Sequence, residues 1–228
     1  MSQTNESKVG GVMPGRPKVF GIGFHKTGTT SLGAALSQLG WNVCPGFGFM
    51  DGRIEDRVHR RAAELATLHD AFEDNPWPLL YPEMDRMVPG SKFVLTWRDP
   101  DRWYASVLRH FGRDDTPMRR WIYGDRHGAP FGNRDVYVDR YKRHYEAVSR
   151  YFSDRPGDLL WLRLEEGEGW KELGAFLDVA VPDGQFPRAN ANAGAAGPLV
   201  RALKQTAAGR FAREAYQRYV RGYGLKMK

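Results

Sequence analysis

Cysteine is nearly absent from this sequence, and long apolar runs are missing. Cys44 is the single cysteine among 228 residues, so no intrachain disulfide can form, and we expect a reducing compartment, the cytoplasm. One isolated cysteine is poor support for zinc, and we expect no metal. No stretch reaches the apolar length that spans a bilayer, so we expect no membrane partner. The polar, glycine-rich start, residues 1–17, lacks the apolar core of a signal peptide and is predicted to be a disordered leader.

The charge of the chain is basic but evenly spread. The 34 lysines and arginines exceed the 27 acidic residues and give a formal net charge of +7. The two signs are interleaved, with no block of basic residues, which favours an ordinary solvated surface over a nucleic-acid patch. We therefore expect no nucleic-acid partner, although the excess charge would help to attract a small polyanion.

Strand-like apolar runs alternate with helical patterns, which is typical of βαβ units around a parallel sheet. We predict one α/β domain over residues 18–228, a parallel β-sheet flanked by helices, with an irregular insertion near 112–134. The predicted strands are 18–24, 41–44, 70–73, 92–97 and 159–164. The predicted helices are 29–39, 53–68, 79–88, 100–111, 136–152, 170–177 and a basic amphipathic C-terminal helix, 199–219.

A glycine- and hydroxyl-rich loop connects the first predicted strand to the first helix. It reads G-I-G-F-H-K-T-G-T-T-S over residues 21–31. Backbone N–H groups at a helix N-terminus favour an anion, and the glycine at position 28 allows the backbone to approach a ligand closely. The candidate anion-binding residues are Lys26, Thr27, Gly28, Thr29, Thr30 and Ser31.

The loop differs from the phosphate loop of nucleotide hydrolases, G-x-x-x-x-G-K-[ST]. Gly23 and Gly28 match its glycines, but Thr29 stands where that loop has lysine. The lysine here is Lys26, two residues before the second glycine. A small-molecule or nucleoside kinase is the alternative interpretation. Against it, this chain lacks the phosphate-binding lysine of that loop and has no obvious acidic metal site. A plain helix cap needs only one hydroxyl residue, so it explains the loop poorly.

A second motif lies at the end of the most strand-like run. Arg98 ends that run, Asp99 and Pro100 open a helix, and Ser106 follows Arg98 by eight residues, about two helical turns. Ligands of open α/β sheets bind beyond the carboxyl ends of the strands, so we expect Arg98 in the same crevice as the first loop. The guanidinium fork suits a phosphate.

Together, these motifs resemble those of the sulfotransferases that use 3′-phosphoadenosine 5′-phosphosulfate (PAPS). The loop from His25 to Ser31 is similar to their P-K-S-G-T-T-W loop, and Arg98 with Ser106 is similar to their 3′-phosphate site. The block K-F-V-L-T-W-R-D-P, preceded by D-N-P at 74–76, resembles the branch with a D-x-P segment. The resemblance covers about residues 18–190. It implies the three-layer P-loop sulfotransferase fold, PAPS as an anionic nucleotide donor, its product 3′-phosphoadenosine 5′-phosphate (PAP), no metal, and a small-molecule acceptor with a hydroxyl or amine.

The resemblance also implies roles for individual residues. Lys26 would stabilise charge on the transferring group. Asp74 occupies the position of the general-base histidine in the K-T-H-L-P segment of the cytosolic enzymes, so it would be the general base. The alternative is that Asp74 is only a turn residue. His25 is the rival base, with packing under the loop as its plainer role. The C-terminal R-K-G element of the cytosolic enzymes is missing, which leaves open whether Arg188 replaces it.

The aromatic stretch 121–131 has two interpretations. Loops of this length and composition are usually functional, which makes it a candidate lid over the acceptor. The other interpretation is a satellite hydrophobic cluster under a loop.

Overall fold

The computed structural model describes residues 15–188. The predicted helix 199–219 and most of the predicted leader therefore lie outside the described residues. Within this part of the chain, five parallel strands form one sheet in the order β2-β3-β1-β4-β5. The strands are β1 (Val19–Gly21), β2 (Val43–Cys44), β3 (Ala71–Phe72), β4 (Lys92–Thr96) and β5 (Leu159–Leu162).

Helices cover both faces of this sheet, so the predicted α/β fold is confirmed. They are α1 (Thr29–Gln38), α2 (Ile54–Leu68), α3 (Trp77–Met87), α4 (Pro100–Phe111), α5 (Pro117–Tyr123), α6 (Arg134–Tyr151) and α7 (Trp170–Leu177). Two short 3₁₀ turns, Pro156–Asp158 and Leu164–Glu166, flank β5.

Alternation along the strands divides the core into two apolar layers. Successive side chains of a strand point to opposite faces, so neighbours such as Val19 and Phe20 belong to different layers. One layer packs the sheet against α1 and α7, and the other packs it against α2, α3, α4, α5 and α6. The result is the three-layer arrangement that the resemblance implies.

The sheet order places three strand ends side by side. β1 lies between β3 and β4, with Phe20 opposite Phe72 on one side and Phe93 on the other. Because all strands are parallel, the segments that follow β3, β1 and β4 leave the same edge of the sheet. That edge is the usual location of ligands in this class of fold.

Helix α4 begins as the sequence predicts. The carboxylate of Asp99 accepts hydrogen bonds from the backbone N–H groups of Asp101 and Arg102 at 3.1 and 3.0 Å, and Pro100 occupies the first helical position. Trp103 and Val107 are fully buried one turn apart, which anchors the helix on the core. The cap and these two buried side chains therefore fix the start of α4 next to Arg98.

Several elements differ from the sequence predictions: the strands predicted at 18–24, 41–44 and 159–164 are shorter in the structure, and two helices differ as well. The stretch 112–134, expected to be irregular, contains α5, whose start is capped by the hydroxyl of Thr116 accepting from Arg119 N–H at 3.3 Å. Seven residues are too few to show a helical period. Helix α3 begins at Trp77 rather than at 79, because Pro78 in its first turn needs no hydrogen-bond partner for its nitrogen.

Candidate active site

The loop after β1 is fixed to the end of β4. A Cβ atom on Gly23 would overlap the hydroxyl and carbonyl oxygens of Thr96, so only glycine fits there. The hydroxyl of Thr27 donates to the carbonyl of Phe24 at 2.6 Å and shares a hydrogen bond with the Thr96 hydroxyl, also at 2.6 Å. The side chain of Thr27 is therefore buried and engaged by the loop and by β4, and its predicted contact with the nucleotide stays a prediction.

The loop delivers its glycine to the N-terminus of α1. Gly28 has φ of 107°, in the left-handed region, and it faces Leu164 from the segment after β5. The first turn of α1 carries three hydroxyl side chains and no acidic residue. Thr29 is buried, Ser31 is half-buried and Thr30 is exposed. The N–H groups of this turn form the kind of site that binds phosphate.

Aromatic side chains of α4 and α6 hydrogen-bond the backbone of the loop and of the end of β4. Trp103 Nε1 donates to the carbonyl of His25 at 2.9 Å, and His144 Nε2 donates to that of Ile22 at 2.8 Å. Tyr145 Oη donates to the carbonyl of Thr96 at 2.6 Å. These bonds satisfy buried carbonyls that would otherwise lose their solvation, and they hold the loop in one shape.

His25 is buried within the loop, and both of its ring nitrogens are in use. Nδ1 lies 2.8 Å from Asn75 Nδ2, and Nε2 lies 3.3 Å from the Tyr123 hydroxyl. The Asn75 amide donates to Nδ1, which leaves the ring proton on Nε2. Burial, together with the positive charges of Arg119 and Lys26, lowers the pKa of His25 to about 3, so the ring is neutral at pH 7.

Asp74 lies beyond the end of β3, next to the loop. Its backbone is left-handed, with φ of 67°, and its carboxylate accepts from the N–H of Asn75 at 2.7 Å. Burial raises the pKa of Asp74, while that N–H group and the positive charge of Lys26 oppose the rise. The predicted lysine and the predicted carboxylate thus meet at this edge, within electrostatic range of each other.

Arg98 leaves the end of β4 on the other side of the loop. Its backbone is clamped by Tyr141, whose hydroxyl accepts from Arg98 N–H at 3.2 Å and donates to Arg98 C=O at 2.8 Å. Its side chain forms an ion pair with Glu165, at 2.6 Å between Nη2 and Oε1. Its Nε is buried and has no hydrogen-bond partner among the described residues.

A family model described as "Sulfotransferase domain" matches residues 18–195 of this chain. The chain belongs to the sulfotransferase family. This confirms the family expected from the two motifs.

This sulfotransferase is also similar to two known proteins, each less than 25% identical to it. "Ava biosynthesis cluster protein M" of Aspergillus versicolor is 24% identical over 212 residues, covering 75% of this chain and 79% of that protein. The second protein is a sulfotransferase from Alicyclobacillus acidocaldarius with a known crystal structure. Its sequence is 21% identical to this one, the match covers 74% of this chain and 84% of the Alicyclobacillus chain, and the TM-score is 0.46.

Two further residues predicted for the nucleotide site are Ser106 and Arg188. Ser106 is buried two turns into α4, on the helix that starts beside Arg98. Arg188 is exposed and is the last residue that the structure describes. Its relation to the nucleotide site stays a prediction.

Glu73 is a buried acid that the sequence analysis missed. It precedes Asp74, is only 8% exposed, and packs against Gly33 in α1. Burial and the charge of Asp74 raise the pKa of Glu73 to about 8, and a hydrogen bond with Thr29 opposes the rise. Its Oε2 has no hydrogen-bond partner within the described part of the chain. The only sequence signal was an acidic residue ending a strand.

The described residues, 15–188, also bear on metal binding and membrane insertion. In that range, no group of three or more His, Cys, Asp and Glu side chains has the arrangement of a metal site. No helix there has the length and apolar character needed to cross a bilayer.

Proposed function

We propose that this sulfotransferase transfers the sulfuryl group of PAPS to a hydroxyl or amine of a small-molecule acceptor and releases PAP. The observation that carries the proposal is that Lys26 and Asp74, which follow the carboxyl ends of the paired strands β1 and β3, lie within electrostatic range of each other. The lysine belongs to an anion-binding loop, and the carboxyl group is a proton acceptor. One edge of the sheet therefore holds both the groups that a sulfuryl transfer needs.

The two ends of the donor are assigned to two sides of the loop. The 5′-phosphosulfate would bind the N–H groups and hydroxyls at the start of α1, where the helix dipole favours an anion. The ribose 3′-phosphate would bind Arg98 and Ser106. The buried, unpartnered Nε of Arg98 supports this assignment, because a charged donor of this kind is stabilised when an anion accepts from it.

In the proposed reaction, the acceptor oxygen or nitrogen attacks sulfur in line. A new bond to sulfur forms while the bond between sulfur and the bridging oxygen breaks, and PAP leaves with that electron pair. Lys26 and the loop N–H groups stabilise the negative charge that grows on the bridging and leaving oxygens. Asp74 takes the proton of the acceptor.

The environment of Asp74 suits a general base better than that of His25. A carboxylate whose pKa is raised by burial binds a proton more readily than one in water, while the Asn75 N–H group and the positive charge of Lys26 favour its ionised form. His25 has a strongly lowered pKa, and its ring is engaged by Asn75 and Tyr123. We therefore assign His25 to holding the segment that carries Asp74, and we keep it as the rival base.

Calorimetric titration with PAP, followed by an acceptor screen with labelled PAPS, tests the proposal. We expect PAP to bind in the micromolar range or tighter, more tightly than 5′-AMP, and at least one acceptor to be sulfated. Binding of ATP with Mg²⁺ but not of PAP would instead support the kinase alternative. Tight PAP binding with no turnover on any acceptor would indicate a non-catalytic nucleotide-binding protein.

A further inference from the structure

Glu165 pairs with Arg98 across two adjacent strands. Thr96 at the end of β4 lies opposite Leu162 at the end of β5. Arg98 and Glu165 follow those residues by two and three positions, so both side chains extend from the same edge of the sheet. Their ion pair is 2.6 Å long, and the side chains are 21% and 39% exposed.

The pair uses only part of the guanidinium group. Glu165 accepts at Nη2, whereas Nε is buried and lacks a partner among the described residues. A guanidinium has five N–H donors in a rigid plane, so holding one nitrogen sets the direction of the others. Tyr141 restrains the backbone of the same residue through two hydrogen bonds. Backbone and side chain are thus held from different elements.

We propose that Glu165 is a positioning residue that orients Arg98 toward the 3′-phosphate of the nucleotide. The inference rests on the proposed function, since it takes Arg98 as the 3′-phosphate ligand. Glu165 does not touch the nucleotide in this scheme. It holds the guanidinium in the rotamer that presents its unpartnered Nε edge, which reduces the side-chain entropy lost when the phosphate binds.

The opposing effect is repulsion between the Glu165 carboxylate and the phosphate. Glu165 is more than a third exposed, so water and salt screen its charge. Screening weakens the long-range repulsion between the carboxylate and the phosphate more than it weakens the direct hydrogen bond that orients Arg98. Because the carboxylate engages Nη2 and leaves Nε without a partner, we expect orientation to outweigh repulsion, so that removing Glu165 weakens nucleotide binding.

The next residue supplies a matched control. Glu166 has the same charge and lies in the same 3₁₀ turn, but its nearest basic partner is Arg163, at 4.0 Å, and its side chain is 57% exposed. Replacing it changes the net charge of the turn without releasing Arg98.

The experiment measures PAP and 5′-AMP affinities of the full chain for the wild type, Glu165→Ala, Glu165→Gln, Glu166→Ala, Arg98→Ala and the double variant Arg98→Ala/Glu165→Ala. We expect Glu165→Ala to weaken PAP about 3- to 10-fold, the scale of one net hydrogen bond, with 5′-AMP affinity unchanged. Glu165→Gln keeps an acceptor for Nη2 and recovers part of the loss. Glu166→Ala binds like the wild type, and the double variant binds PAP as Arg98→Ala does.

Several outcomes overturn the inference. Unchanged or tighter PAP binding in Glu165→Ala would mean that Glu165 is neutral or competes with the phosphate. Equal losses for PAP and 5′-AMP would indicate a general structural role, and additive losses in the double variant would separate Glu165 from Arg98. If the wild type itself binds 5′-AMP as tightly as PAP, the 3′-phosphate assignment within the proposed function fails, and this inference fails with it.

Discussion

The positive charge of Lys26 acts on the carboxyl group of Asp74 across the ends of β1 and β3, where it opposes the effect of burial on the Asp74 pKa. The two residues are 48 positions apart in the chain, since 74 − 26 = 48. Their relationship exists because β3 pairs directly with β1 in the sheet. In the proposed reaction, Lys26 is the cation that meets the growing charge and Asp74 is the base that takes the acceptor's proton.

Replacing Lys26 by alanine should reduce turnover at least ~10²-fold, the scale observed when one preorganised donor is removed. PAP affinity should fall much less, because the loop N–H groups and Arg98 still hold the nucleotide while Lys26 meets charge that grows only in the transition state. Steady-state kinetics and calorimetry on the same variant separate the two effects. Lys26→Arg should recover part of the rate, and a parallel loss of affinity and turnover would make Lys26 a binding residue instead.

Asp74→Asn should abolish turnover while leaving PAP affinity near that of the wild type, because the amide cannot accept the acceptor's proton. His25→Ala serves as the comparison, with its fold checked by circular dichroism. If Asp74→Asn remains active and a folded His25→Ala is inactive, the roles assigned to the two residues are reversed.

Arg98→Ala should weaken PAP binding by ~1.5–3 kcal/mol, the range for a hydrogen bond to a charged group. The affinity for 5′-AMP, which has no 3′-phosphate, should change little. Calorimetric titration of both nucleotides measures the difference, and equal PAP affinity in the variant and the wild type would remove Arg98 from the 3′-phosphate site.

Stability should decrease as the pH falls from about 6.5 toward 3. Burial lowers the pKa values of His25 and His144 to about 3, from an ordinary value of 6.5. Between these values the unfolded chain binds more protons than the folded one, so acid favours unfolding. Urea unfolding at pH 7, 5.5 and 4.5 measures the slope. His144→Gln should reduce it, and an unchanged slope in that variant would mean that His144 does not contribute.

Glu73 should give a pH effect of the opposite sign. Its pKa rises from 4.5 to about 8 in the folded protein, so the folded state retains a proton that the unfolded state has lost in this window. Its contribution to stability therefore falls as the pH rises from 4.5 to 8. Glu73→Gln cannot ionise, and its stability relative to the wild type should be greater at pH 8.5 than at pH 5. Equal differences at both pH values would contradict the buried, neutral carboxyl group.

Local sequence patterns determined the class of fold and supplied the candidate ligand-binding segments. Alternating strand and helix signals predicted the parallel α/β sheet, and the loop at 21–31 predicted an anion site at the start of α1. The position of Arg98 at a strand end predicted its side of the sheet. These features follow from residues close together in the chain, whose spacing reflects the period of a helix or a strand.

Only the tertiary structure decided which side chains interact at the carboxyl ends of the strands. Glu73 becomes a buried acid because β3 lies beside β1 under helix α1. Both ring nitrogens of His25 are occupied because the segment after β3 brings Asn75 to Nδ1 and α5 brings Tyr123 to Nε2. Arg98 meets Glu165 because β5 pairs with β4, which places residues 67 positions apart within one ion pair, since 165 − 98 = 67. The order of strands in a sheet is set by long-range packing, and the spacing of residues along a single segment does not encode it.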